Sequence, residues 1–177
     1  MKHIFSAFLR DEPRVLTRVT SLFGRRGFNI DSLAVGGTHE PGVSRMTFVL
    51  EAPQETAEQV RRQLEKLEDV LSVIQHDPDS AVDRELALVK VAVSDAFARH
   101  EIRHIADDFR ARTVDAAPGS LVLEVTGASG KINAFVEQLR PFGIQECMRT
   151  GAIAMERGAT EEDALLGYGQ AAEELSA

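Results

Sequence analysis

The chain has a single cysteine, Cys147, among 177 residues, only one tyrosine and no tryptophan. One cysteine excludes an intrachain disulfide and any metal site built from cysteines, and it fits a reducing compartment. Positive charge is also short: 20 Lys and Arg face 28 Asp and Glu, for a net charge of −8. That balance argues against a non-specific nucleic-acid surface, and no nucleic-acid partner is expected. The pairs Arg25-Arg26 and Arg61-Arg62 are expected on solvated helix faces. No apolar run approaches the ~18 residues that would span a membrane. The opening MKHIFSAFLRDE reaches charge too soon for a signal peptide. A soluble cytoplasmic protein is expected. What is present, 44% apolar and 27% charged residues, is the composition of a folded chain, long enough for one ordinary domain or two small ones.

A pattern repeats along it. HIFSAFLR (3–10) is rich in branched and aromatic residues and reads as a strand. Asp11 is the predicted cap of the helix that follows, with Pro13 in its first turn. Val15, Leu16, Val19, Leu22 and Phe23 stripe that helix, and Gly27 is placed to end it. Strands are predicted over 28–35 and 44–51 around GGTHEPG. A second helix carries Ala57, Val60, Leu64 and Leu67, and 69–76 closes the unit as a strand. The order is βαββαβ, the ferredoxin-like arrangement.

DPDSAVD (77–83) reads as a polar linker, and then the order begins again. A strand over 85–93 precedes a helix striped by Ile102, Ile105, Ala106 and Phe109. A strand pair over 112–117 and 120–126 leads to a helix with Ile132, Phe135, Val136 and Leu139. The last strand, 144–156, is expected to break near Gly151. The fold class is therefore α+β, two ferredoxin-like βαββαβ units, 1–78 and 84–158, with an acidic, flexible tail over 159–177. Strands 4–9 and 86–93 are apolar on both faces. Each needs a second cover, from a partner chain or the sister unit.

Two short motifs invite chemistry. HEIRH (100–104) has the i, i+4 histidines of a zinc peptidase. However, His100 and His104 fall off the Ile102/Ile105/Phe109 stripe, and no third ligand has a supporting motif, so a solvated helix face is expected. GASGK (127–131) fails the spacing of a phosphate loop, and Ser129 reads more simply as a helix cap. No catalytic constellation emerges from spacing.

One longer stretch is far more specific. RRGFNIDSLAVGGTHEPGVSRMTFVL (25–50) closely resembles the regulatory small subunits of acetolactate synthase, also called acetohydroxyacid synthase. RELALVK (84–90), TGASGKI (126–132) and the Arg-Thr-Gly at 149–151 resemble that family's C-terminal domain. The likeness covers about residues 1–158. It implies an N-terminal ACT domain, a second ferredoxin-like domain, and no catalytic or metal site in this chain. It implies a catalytic large subunit as partner, which carries thiamine diphosphate, magnesium and FAD. It also implies activation of that partner and feedback control by valine or another branched-chain amino acid. ACT domains are expected to pair through a sheet edge into a homodimer, leaving the C-terminal domains free to pack or swing.

The resemblance places the effector site at Asp11, Arg14, Asn29 and Ile30. The helix N-terminus near residue 13 would meet the ligand carboxylate. Asp11 and Asn29 would meet the ammonium and remaining polar groups. The family usually has glycine where this chain has Arg14. Two readings follow: an exposed arginine pairing nearby, or a blocked or re-specified pocket. An alternative function, from another class, is a free-standing double-ACT transcriptional regulator that senses an amino acid.

Overall fold

The structure, a computed structural model, describes residues 1–158; the tail expected over 159–177 lies outside them. The first unit runs β1 (Lys2–Arg10), α1 (Val15–Arg26), β2 (Ile30–Gly37), β3 (Val43–Glu51), α2 (Gln54–Leu64), β4 (Val70–His76). The second runs β5 (Ala81–Ala92), α3 (Ala96–Asp108), β6 (Arg112–Ala117), β7 (Ser120–Gly127), α4 (Ser129–Leu139), β8 (Ile144–Arg149), and adds β9 (Ile153–Glu156). The sheets have the orders β2-β3-β1-β4 and β6-β7-β5-β8, the same topology twice. Every pairing is antiparallel.

Helical spacing decides what each helix buries. Val15, Val19, Leu22 and Phe23 of α1 and Ala57, Val60 and Leu64 of α2 pack on one face of the first sheet. There Phe5 stacks on Phe48 with ring centres 5.0 Å apart. Ile102 and Ala106 of α3 and Ile132, Phe135 and Leu139 of α4 do the same in the second unit. Each large apolar side chain buried this way contributes about 1.5–3 kcal/mol. Leu67 lies beyond the end of α2 but still packs against the first core.

Three expectations need correction. Asp11 does not cap α1: the helix begins at Val15 and its cap position is Arg14, while Pro13 lies ahead of the helix. Ser129 does not cap α4: it is the first helical residue, after Ala128, and its hydroxyl takes a hydrogen bond from Lys2 Nζ at 2.7 Å. The 77–83 segment is not all linker. It turns at Asp77–Ser80, and from Ala81 it is already strand, Ala81 to Arg84 pairing with β9.

That extra pairing supplies the second cover expected for the first sheet. Ser6, Thr47 and His76 lie on the face away from the helices and are buried. Residues 151–156 lie over them, with Ala152 and Ala154 buried beneath Ile153 and Met155, which stay exposed. The second unit thus packs on the first through β9. Among the described residues nothing covers the second sheet's outer face in the same way: Leu88 and its cross-strand neighbour Met148 are exposed.

Candidate effector-binding site

The loop after β1 is pinned from two sides. Arg10 N–H donates to Asp69 O at 2.9 Å, and Asp11 N–H donates to Gly42 O at 2.8 Å. The chain then turns into α1 through Arg14, whose backbone is left-handed at φ 76° and ψ −6°. A non-glycine residue there costs about 1–2 kcal/mol, so the glycine usual in the resembling family has a conformational reason. Among the described residues no side chain caps α1, and no acidic residue stands in its first turn. The first N–H groups of a helix have no partner inside it, and the helix dipole makes this end attractive to a carboxylate.

Asp11 and Arg14 are exposed at this end. Among the described residues Arg14 makes no side-chain hydrogen bond or ion pair; it lines a shallow concavity on α1 with Thr17, Arg18 and Ser21. The acidic partner nearby is taken: Asp69 pairs with Arg18 Nη1 at 2.6 Å.

Asn29 and Ile30 are elsewhere. Ile30 opens β2 and pairs with Leu50 of β3, which on its other side pairs with His3 of β1. The loop carrying Asp11 and Arg14 follows the opposite end of β1. From His3 to Arg10 is seven strand steps, about 23 Å. The residues expected to form one site therefore lie at opposite ends of one sheet. β2 is an edge strand of that sheet, with Leu33 and Val35 exposed on it. A second copy aligned antiparallel along β2 would reverse the ends and bring Asn29 and Ile30 of one chain toward the α1 N-terminus of the other. The register shifts between Ile30 and Ser32, a bulge that lets the start of β2 leave the plane of the sheet.

The second unit shows the same helix start closed. Asp95 caps α3, accepting from Ala98 N–H at 2.8 Å. The backbone bond from Ala98 holds the Asp95 carboxyl below its ordinary value, and the Ser94 hydroxyl adds to this. The sequence reading missed this cap, although Ser-Asp ahead of an apolar-periodic run is a legible signal.

The two short motifs have structural explanations. His100 and His104 lie on the exposed side of α3, with His104 Nδ1 3.5 Å from Asp108. In GASGK a Cβ on Gly127 would meet Lys131 Cδ at 2.6 Å, and Lys131 Nζ donates to Thr126 O at 2.9 Å. The glycine makes room for the lysine stem rather than for a phosphate.

Comparison with known proteins agrees across the described chain. The family described as "AHAS small subunit-like ACT domain" matches residues 5–72, and "Small subunit of acetolactate synthase" matches residues 84–158. A probable acetolactate synthase small subunit from Methanothermobacter thermautotrophicus is 47% identical over 157 residues, 89% of this chain and 94% of that one. An acetolactate synthase small subunit from Aquifex aeolicus is 45% identical, covering 88% and 81%. The crystal structure of the acetolactate synthase small subunit from Thermotoga maritima superposes with a TM-score of 0.83 at 35% identity, covering 90% of this chain and 99% of that one.

Proposed function

The chain belongs to the family of acetolactate synthase small subunits, and from that premise we propose that it activates a thiamine-diphosphate large subunit and subjects it to feedback by a branched-chain amino acid. The observation that carries the effector half of this reading is the open N-terminus of α1, left without a side-chain cap at the end of β1. Its expected ligand is an α-amino acid: a carboxylate for the helix N–H groups, an ammonium for Asp11 and Asn29, and an apolar side chain beside Ile30. Because the half-sites lie at opposite ends of the sheet, the complete site needs a homodimer joined along β2.

The division of labour assigns residues 1–78 to effector binding and dimerisation and residues 84–158 to the second domain. Catalysis, with thiamine diphosphate, magnesium and FAD, falls to the large subunit. Valine is the effector to test first, and Arg14 is expected to weaken its hold. The alternative of a free-standing transcriptional regulator draws no support from relatives named as enzyme subunits. Among the described residues no helix is long and apolar enough to cross a membrane.

The test is reconstitution. The isolated chain should form no acetolactate from pyruvate, and adding it to the cognate large subunit should raise turnover. No change in rate or mass on mixing would refute the subunit reading. Light scattering that gives a monomer at micromolar concentration would refute the dimer.

A further inference from the structure

We propose that residues 150–156 form a strap that carries the effector's presence from β2 of the first unit into the sheet of the second. This rests on the effector reading above. The strap lands on β2 next to the proposed half-site. Gly151 takes φ +80°, and a Cβ there would sit 3.3 Å from Ser32 Cβ and 3.5 Å from the Leu33 backbone. Ala152 N–H donates to Ser32 Oγ at 3.4 Å. Only the bulge at Asp31 separates this landing from Ile30.

The strap then crosses the strands. From Ala152 to Glu156 is four extended steps, about 13 Å, and four strands spaced about 4.8 Å are about 14 Å wide. At mid-sheet Arg45 Nη2 donates to Ala154 O at 2.5 Å. At the far edge Glu156 binds His76 Nδ1 at 2.6 Å and the Ser80 hydroxyl at 2.9 Å. Ser6 Oγ accepts from Arg45 Nε and Nη2 and lies 2.8 Å from His76 Nε2 and 3.3 Å from Thr47 Oγ1, so the far edge and mid-sheet contacts form one buried polar network.

The strap is also a strand of the second unit. Ile153 to Glu156 pair with Arg84 to Ala81, and Ala81 to Ala92 is one continuous strand at the centre of the second sheet. A shift at the start of β2 therefore meets one element that is bonded to both units. Two seatings of that element, down on β2 or lifted from it, give the bistable part that coupling between sites requires. The Arg-Thr-Gly at 149–151 gains a role here: Thr150 donates its N–H to Leu86 O at 3.0 Å, and Gly151 makes the close landing.

The experiment uses the full chain with its cognate large subunit. Binding of valine, leucine and isoleucine is read by calorimetry, and inhibition of acetolactate formation is read separately. Gly151→Ala adds a methyl where the strap lands, in a backbone conformation that disfavours it. Glu156→Ala frees the far end without adding atoms, and it serves if Gly151→Ala does not fold. Expected is effector binding close to wild type, with the concentration for half-inhibition raised about five- to 150-fold, the range of ordinary coupling between sites. Binding and inhibition both unchanged in the folded variant would overturn the strap and leave the effector reading standing. Binding lost together with inhibition would make the strap part of the pocket and overturn its role in transmission. A wild-type chain that binds none of the three amino acids would remove the effector reading itself.

Discussion

The two units share a topology and differ most where each first strand gives way to its helix. In the second unit Asp95 closes the helix end with its own carboxylate. In the first, the corresponding turn passes through a left-handed Arg14, and neither Asp11 nor Glu12 caps the helix. A ligand carboxylate at α1 would do what Asp95 already does at α3. If the proposed effector binds there, the same framework serves as a sensor where the cap is left out and as a plain structural unit where it is built in. Fold alone did not decide between the two; the loop did.

The largest expected effect comes from widening this difference. Arg14→Gly removes the side chain nearest the open helix end and frees the left-handed backbone. If the arginine crowds the pocket, overpacking of about 1–3 kcal/mol is relieved, and valine inhibition sharpens roughly five- to 150-fold. Inhibition curves on wild type and variant decide it. Half-inhibition at sub-millimolar valine in the wild-type pair, unchanged by Arg14→Gly, would show that the arginine does not limit the site.

A smaller effect tests the other ends of these two helices. α1 closes through left-handed Gly27, with Phe28 N–H reaching Phe23 O at 3.1 Å. α3 closes the same way through Arg110 at φ 53°, with Ala111 N–H reaching Ala106 O at 2.7 Å. Gly27→Ala should lose about 1 kcal/mol, since left-handed backbone costs an L-residue that much or more. Arg110→Gly should be neutral to stabilising by up to about 1 kcal/mol, because glycine's own entropic cost offsets part of the relief. Urea unfolding of both variants is the check, and equal losses would break the parallel.

The next effect is confined to acid. The Asp95 carboxyl is held below its ordinary value of 3.8, chiefly by the Ala98 N–H. A carboxyl depressed on folding contributes stability above its unfolded value and loses it as pH falls through the folded value. Thermal melts should show wild type losing more stability than Asp95→Asn as pH drops below 3.8. Identical profiles would mean that the cap bond carries no charge-dependent part. The smallest effect belongs to His100→Ala with His104→Ala. These exposed positions should shift stability by less than about 0.5 kcal/mol and leave activation of the large subunit unchanged.

Helix stripes, strand order and the break near Gly151 were legible because burial on one face imposes a period on the letters. Gly27 was legible because few residues accept its conformation. The start of α1 was misread because Asp11 and Pro13 carry local cap and first-turn preferences. Tertiary bonds instead fix the loop: Asp11 N–H is drawn to Gly42 O, and the cap position falls three residues after the expected one, at Arg14. Residues 81–83 looked like linker because Asp83 breaks the apolar run, yet their partner is β9, about seventy residues on. The division of the effector residues between two ends of a sheet is a matter of register, which no spacing within 11–30 reveals.

The strap also sets an order of events during folding. Lys2 reaches Ser129, Ser32 reaches Ala152 and Arg45 reaches Ala154, separations of 127, 120 and 109 residues. Contacts that distant are slow to form, because the chain between them must first give up its freedom. On a ribosome, β1 to β4 can pair and bury their helix-side core long before residue 156 emerges. Until then Ser6 and His76 face water across an unroofed sheet. The first unit is thus made early and finished last, and its polar face dries only when the end of the second unit folds back over it.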